Sequence, residues 1–246
     1  MCPTTSTDPV AEHGWTAVPV NADAIFEGKP YIHKPQPVLV KDLPFPSDSD
    51  PIVKQVQDYA KENLPGPTYN HSMRVFYWST VILRQQFPSH APSLSPSTLA
   101  LTALLHDIGT APENMNATRL SFEFQGGFIA LNLLQQTLGA SQAQAEAVAE
   151  AIIRHQDLGT EGTITLLGQI IQLATVYDNM SLRPYLIHET TKVDVIKAFP
   201  RNGWSGCFSR TIREENRLKP WAHTTHLGSE VFPNGVGENA FMAEYD

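Results

Sequence analysis

Cysteine is scarce: the 246-residue chain carries two, Cys2 and Cys207. Neither belongs to a Cys-x-x-Cys pair, so a disulfide framework is excluded and reduced thiols in a cytosolic protein are expected. Charge is also sparse, at 17% of residues, and leans acidic, with 25 acidic against 17 basic side chains and a formal net charge of −8. That balance argues against nucleic-acid or anionic-membrane partners. No apolar run approaches the length of a membrane span. The opening Met1-Cys2-Pro3-Thr4-Thr5 has neither a basic nor an apolar stretch of the kind that leads secreted proteins. A cytoplasmic protein with an ordinary core is expected, since the 41% hydrophobic content is the opposite of a disordered composition.

Proline divides what is present. Nine of the 19 prolines fall within residues 1–51, where helical periodicity is absent. That stretch reads as an extended arm over the surface with a disordered tip. Residues 52–246 read as a single all-α domain ending in an irregular tail. Its expected helices cover 52–63, 68–87 up to Pro88, 97–107, 127–138 closed by Gly139, 142–155, 163–179 and 191–198. Ser95-Pro96 supplies an N-cap followed by proline at the first helical position, and Ser141 with Gln144 forms a capping box. No alternating strand pattern is visible.

Four helices carry a polar residue on an otherwise apolar stripe. Leu99, Thr102 and Ala103 lead to His106, with Asp107 directly after it. Ile171, Ala174 and Thr175 lead to Asp178; Val148, Ala151 and Ile152 lead to His155; His71 heads the stripe of Arg74, Val75 and Trp78. Burying one such group is unremarkable, since a lone histidine finds a core partner and Asp178 can be met by an arginine such as Arg74. Four together cost several kcal/mol unless shared, by rough estimate, and a divalent cation satisfies imidazoles and carboxylates at once.

The ordered set His71, His106-Asp107, Asp178 resembles the HD-domain superfamily of metal-dependent all-α hydrolases. The resemblance implies that these four residues ligate one metal, taken as zinc, although Fe²⁺, Mn²⁺ and Ni²⁺ accept the same ligands. Many such proteins are nucleotide phosphohydrolases, whose substrates call for cationic partners. Residues 66–180 contain no lysine and only four arginines, Arg74, Arg84, Arg119 and Arg154, which makes a polyphosphate substrate a poor fit.

Longer segments are similar to the fungal cyanamide hydratases. They are Gly14 to Val20, Tyr69 to Trp78, Leu104 to Thr110, Ala151 to His155, Ala198 to Arg201 and Lys219 to His226. This likeness spans most of the chain and implies addition of water to the nitrile of cyanamide, giving urea. Cyanamide is small, neutral and linear, so no basic clamp is needed. Hydroxide on the metal would attack the nitrile carbon, and a donor must protonate the nitrogen. His155 is the candidate donor and Asp107 a proton shuttle; a fifth-ligand or second-metal role competes for His155. Thr110, Trp78 and His223 are candidate substrate contacts. The competing roles are a backbone bond for Thr110, plain core for Trp78, and a surface tail rather than a lid for Trp221, His223 and Thr224. One departure from the family pattern is Met180-Ser181 after Asp178-Asn179, where relatives carry Val-Gly; it bears on which small nitrile or isonitrile is accepted.

Other polar residues read as surface: His13, His33, His90 and His188 in irregular stretches, and Arg213, Glu214, Glu215 and Arg217 as a solvated charged face. A homodimer is the default for such an enzyme. A nucleotide phosphohydrolase and a metal-free scaffold that binds a partner are the alternative functions.

Overall fold

A computed structural model describes residues 8–159 and 161–246. Cys2 and the arm's tip lie outside the described residues. The fold is helical with one small sheet. In order it runs α1 (Pro9–Glu12), β1 (Ala17–Pro19), α2 (Ala22–Phe26), α3 (Pro51–Asn63), α4 (Gly66–Gln86), α5 (Pro96–Leu105), α6 (Pro112–Asn116), α7 (Phe122–Leu131), α8 (Gln142–Arg154), β2 (Thr163–Thr165), α9 (Leu166–Met180), α10 (Glu189–Ala198), α11 (Trp204–Leu218) and α12 (Val231–Gly237). No helix among the described residues is long and apolar enough to cross a membrane.

Helix α4 is the axis of the molecule. Residues 71–83 are buried without interruption, so this helix has no solvent face and packs against α5, α9 and α11. Its walls include Val75, Phe76, Trp78 and Ile82, each worth roughly 1.5–3 kcal/mol of burial for a large apolar side chain. The expected caps form: Ser95 Oγ accepts from the Thr98 amide at 3.3 Å, and Ser141 Oγ from the Gln144 amide at 3.2 Å. A second cluster, Phe122, Trp204, Phe208, Ile212, Phe232 and Val236, joins α11 and α12 to the start of α7.

Several expectations are corrected. The arm is not merely extended: it contains α1, α2 and β1, and β1 pairs antiparallel with β2, Ala17 opposite Thr165 and Pro19 opposite Thr163. Residues 163–165 are therefore strand, and α9 starts at Leu166, where Thr165 Oγ1 caps the Gly168 amide at 3.0 Å. The helix expected from residue 127 begins five residues earlier, at Phe122, and passes into a π-helical turn over Asn132–Thr137. The tail is not irregular, because α11 runs for 15 residues. His13 is buried and its Nδ1 lies 2.9 Å from Thr98 Oγ1. Glu215, expected in solvent, is fully buried, where its Oε1 accepts from the Phe122 amide at 2.7 Å.

Gly109 makes one close approach possible. A Cβ there would overlap the Phe122 carbonyl oxygen and sit 3.0 Å from the Gly126 nitrogen. Only glycine lets the turn after Asp107 lie against the first turn of α7. That contact brings the Phe122 ring to 5.8 Å from the His155 ring.

Candidate metal centre

His71 lies in the second turn of α4. His106 and His155 hold the same position on different helices: each is the C-cap residue, of α5 and α8 respectively. Each imidazole turns back on its own last turn, His106 Nδ1–H donating to Ala103 O at 2.8 Å and His155 Nδ1–H to Ile152 O at 2.6 Å. A helix end leaves carbonyls without intrahelical partners, and these rings satisfy one apiece. Because a carbonyl only accepts, the ring proton in each neutral histidine sits on Nδ1 and Nε2 carries a lone pair. His71 reaches the same state differently, with Nδ1–H donating to Asp178 Oδ2 at 2.7 Å.

All three lone pairs converge. His71 Nε2 and His106 Nε2 are 3.1 Å apart; Asp107 Oδ2 lies 3.6 Å from the first and 3.4 Å from the second. His155 Nε2 stands 3.9 Å from Asp107 Oδ1. Every one of these atoms is an acceptor, His71, His106 and Asp107 have no solvent exposure, and neither Asp107 oxygen has a hydrogen-bond partner. Acceptors facing acceptors in a dry interior repel, and an orphaned buried carboxylate is costly. A cation resolves both problems, and tetrahedral ligands about 2.0–2.1 Å from one metal would be roughly 3.4 Å from each other, which matches the spacing. His71, His106 and Asp107 thus fit a divalent metal. Burial depresses both His71 and His155 to about 4, which keeps these rings neutral. Burial alone would raise Asp107, but the surrounding imidazoles overcome it and hold it down at about 2.

Asp178 sits one step back from this cluster. Besides His71 it accepts from Arg74 (Nε 3.0 Å to Oδ1, Nη2 2.8 Å to Oδ2), from Arg201 Nη1 at 3.1 Å and from Trp78 Nε1 at 3.3 Å. Burial, which pushes its pKa up, is outweighed by the two guanidinium groups, and it stays well below the usual carboxylate range. Its bond to His71 Nδ1 fixes that ring's tautomer and angle. Arg74 also donates to the carbonyls of Phe199 and Pro200, tying the 198–201 segment to the site.

The remaining candidates are spread around this core. Trp78 is buried against Asp178 and Tyr177. Thr110 donates to the Asp107 carbonyl at 2.7 Å and lines a cavity. His223 is bound through Nε2 to Asp157 Oδ1 at 2.8 Å, and its amide donates to Ser121 Oγ. Thr224 donates to Glu123 Oε1 at 2.8 Å, and Trp221 Nε1 to Arg119 O at 2.9 Å, so the tail is docked on the chain leading into α7. Residues outside the expected set also reach the site. Trp204 stacks on His71 with ring centres 4.2 Å apart and 14° between planes, and Phe208 stacks on Trp204. The signal was present: Trp204, Phe208 and Ile212 recur every four residues.

A histidine from a long buried helix, joined to a His-Asp pair at a helix end, defines an HD-domain protein, and the HD domain family matches residues 68–180. Two curated relatives, cyanamide hydratase DDI2 and cyanamide hydratase DDI3 of Saccharomyces cerevisiae, are each 40% identical over 234 residues, 94% of this chain and 100% of theirs. The chain belongs to the cyanamide hydratase family within the HD superfamily.

Proposed function

We propose that the protein hydrates cyanamide to urea at a divalent metal held by His71, His106 and Asp107. The observation that carries this reading is the convergence of unpaired lone pairs in a dry centre, in a chain similar to cyanamide hydratases over 94% of its length. The metal we favour is zinc, which accepts two imidazoles and a carboxylate and leaves a position free. Such a cation supplies Lewis acidity and lowers the pKa of water toward neutrality.

The chain's own residues do the rest. His155, neutral and with its proton committed to Ile152 O, presents a bare Nε2 to the cluster. It therefore acts first as a base, taking a proton from water as the oxygen bonds to the nitrile carbon. The imidazolium so formed returns that proton to the nitrile nitrogen, which has gained the electron pair of the broken π bond. Isourea results and tautomerises to urea. Asp107, held anionic by three imidazoles, suits a ligand better than a proton carrier. A phosphorylated substrate finds little help here, because Arg74 is committed to Asp178 and Arg154 to Asp157.

The test is urea release from cyanamide by the purified protein, lost in His106→Ala. Phosphate release from a nucleotide panel without urea formation would replace this reading with the phosphohydrolase one.

A further inference from the structure

A centre this deeply buried needs a way in, since His71, His106 and Asp107 have no exposed surface and His155 almost none. One cavity, of about 260 Å³, reaches a residue bonded to the cluster. Its inner wall is Thr110, whose hydroxyl and amide both donate to the Asp107 carbonyl, at 2.7 and 2.9 Å. Helix α11 lines it through Cys207, Arg210, Thr211 and Glu214, and α6 through Met115. Helix α11 is the element whose Trp204 lies flat on His71 and whose Phe208 lies flat on Trp204. Cys207 falls between these two rings in sequence and is half-buried with a free thiol. The cavity is thus lined both by the turn after Asp107 and by the helix that backs His71.

We propose that substrate enters through this cavity and that Cys207 sets its bore, making it a specificity-determining residue. The volume is below the roughly 300–1,000 Å³ of pockets that enclose drug-sized ligands, so the passage suits a molecule of a few heavy atoms. Its lining of a threonine hydroxyl, a thiol and a thioether, with Arg210 and Glu214 of opposite charge, suits a small polar solute without net charge. The substrate part of this inference rests on the cyanamide reading; the route itself does not.

The test uses the metal-loaded full chain and two readouts, urea formation and the rate at which the small chelator dipicolinate withdraws the metal. Cys207→Trp fills the passage and is expected to lower kcat/KM for cyanamide at least tenfold and slow metal withdrawal at least tenfold, with starting metal content as in the wild type. If that variant fails to fold, a bulky maleimide on Cys207 in a Cys2→Ser background serves the same purpose, since the chain has only these two cysteines. The Cys2→Ser/Cys207→Ser protein treated with the same reagent is the control and is expected to lose metal at the untreated rate. A folded, loaded Cys207→Trp or labelled protein that turns over and releases metal like the wild type overturns the proposal. A wild type that makes no urea, while blockage at Cys207 still slows metal withdrawal, sinks the cyanamide reading and leaves the route standing.

Discussion

Asp178 and His71 share a 2.7 Å hydrogen bond in which the carboxylate takes the Nδ1 proton, so that the Nε2 lone pair of His71 faces His106 and Asp107. The carboxylate is itself held by Arg74 and Arg201, both fully buried. One interaction therefore links a charge network of the interior to the direction of a metal-ligating nitrogen. Arg201 is neutralised on its far side by Asp246, whose Oδ1 accepts from Arg201 Nε at 2.9 Å.

Replacing Asp178 by Asn removes the anion from between two buried guanidinium groups. Breaking a buried pair in this way costs about 3–5 kcal/mol, and losing the partner of a ligating histidine costs about 10–100-fold in metal affinity. Asp178→Asn is expected to melt well below the wild type and, in its folded fraction, to bind metal more weakly. Denaturant unfolding and competition with a chelator read the two effects separately.

His155→Asn tests the proton itinerary. Asparagine has no basic nitrogen to take a proton from water, so kcat is expected to fall by about 10²–10⁴-fold, the usual contribution of a positioned acid–base group. Metal content is expected to stay at the wild-type level, because the proposed ligand atoms belong to His71, His106 and Asp107. Loss of metal together with activity would make His155 a ligand instead.

Gly109→Ala places a methyl group on the Phe122 carbonyl oxygen, a backbone atom that cannot rotate away. Overpacking of a tight core costs about 1–3 kcal/mol. The variant is expected to be destabilised by that amount in urea unfolding, and its activity to fall as α7 is pushed away from His155.

Much of this arrangement was legible in the sequence, and the exceptions share a cause. Helix ends marked by local chemistry, such as Ser95-Pro96 and Ser141 with Gln144, fell where the caps put them, since a cap is a bond between near neighbours. The stripe argument brought His71, His106 and Asp107 together because helical spacing fixes which face a residue takes. It gave no sign that Asp178 bonds Nδ1 of His71, a contact across 107 residues. The β1–β2 pair is three residues long on each side, too short to show alternation, and one member contains Pro19. Glu215 sits among Arg213, Glu214 and Arg217 in a run that reads as solvated, and its burial is met by the distant Phe122 amide and by the buried Lys219 ammonium, 3.6 Å from its Oε1.

That buried carboxylate has a pH consequence. Glu123 is pushed up to about 7, first by burial and then by the charge of Glu215, which is itself raised by burial. Glu123 Oε2 and Glu215 Oε2 are both unpartnered, while their other oxygens accept from Thr224 and from the Phe122 amide. With its folded pKa above its unfolded value of 4.5, Glu123 holds its proton more tightly in the native state. The associated stability is fully present below the unfolded pKa and is lost as pH rises through about 7. Urea unfolding between pH 5 and pH 8 is expected to show the wild type losing stability relative to Glu123→Gln as pH rises, with the difference levelling off above the folded pKa. A difference independent of pH would contradict the assignment.

The most direct measurement of the central claim is a metal titration of stripped protein against urea production from cyanamide. A single centre built on His71, His106 and Asp107 gives turnover that rises linearly with added zinc and stops rising at one equivalent per chain, with no response in His106→Ala. Full turnover in metal-free protein, or none at one equivalent of bound metal, would contradict it.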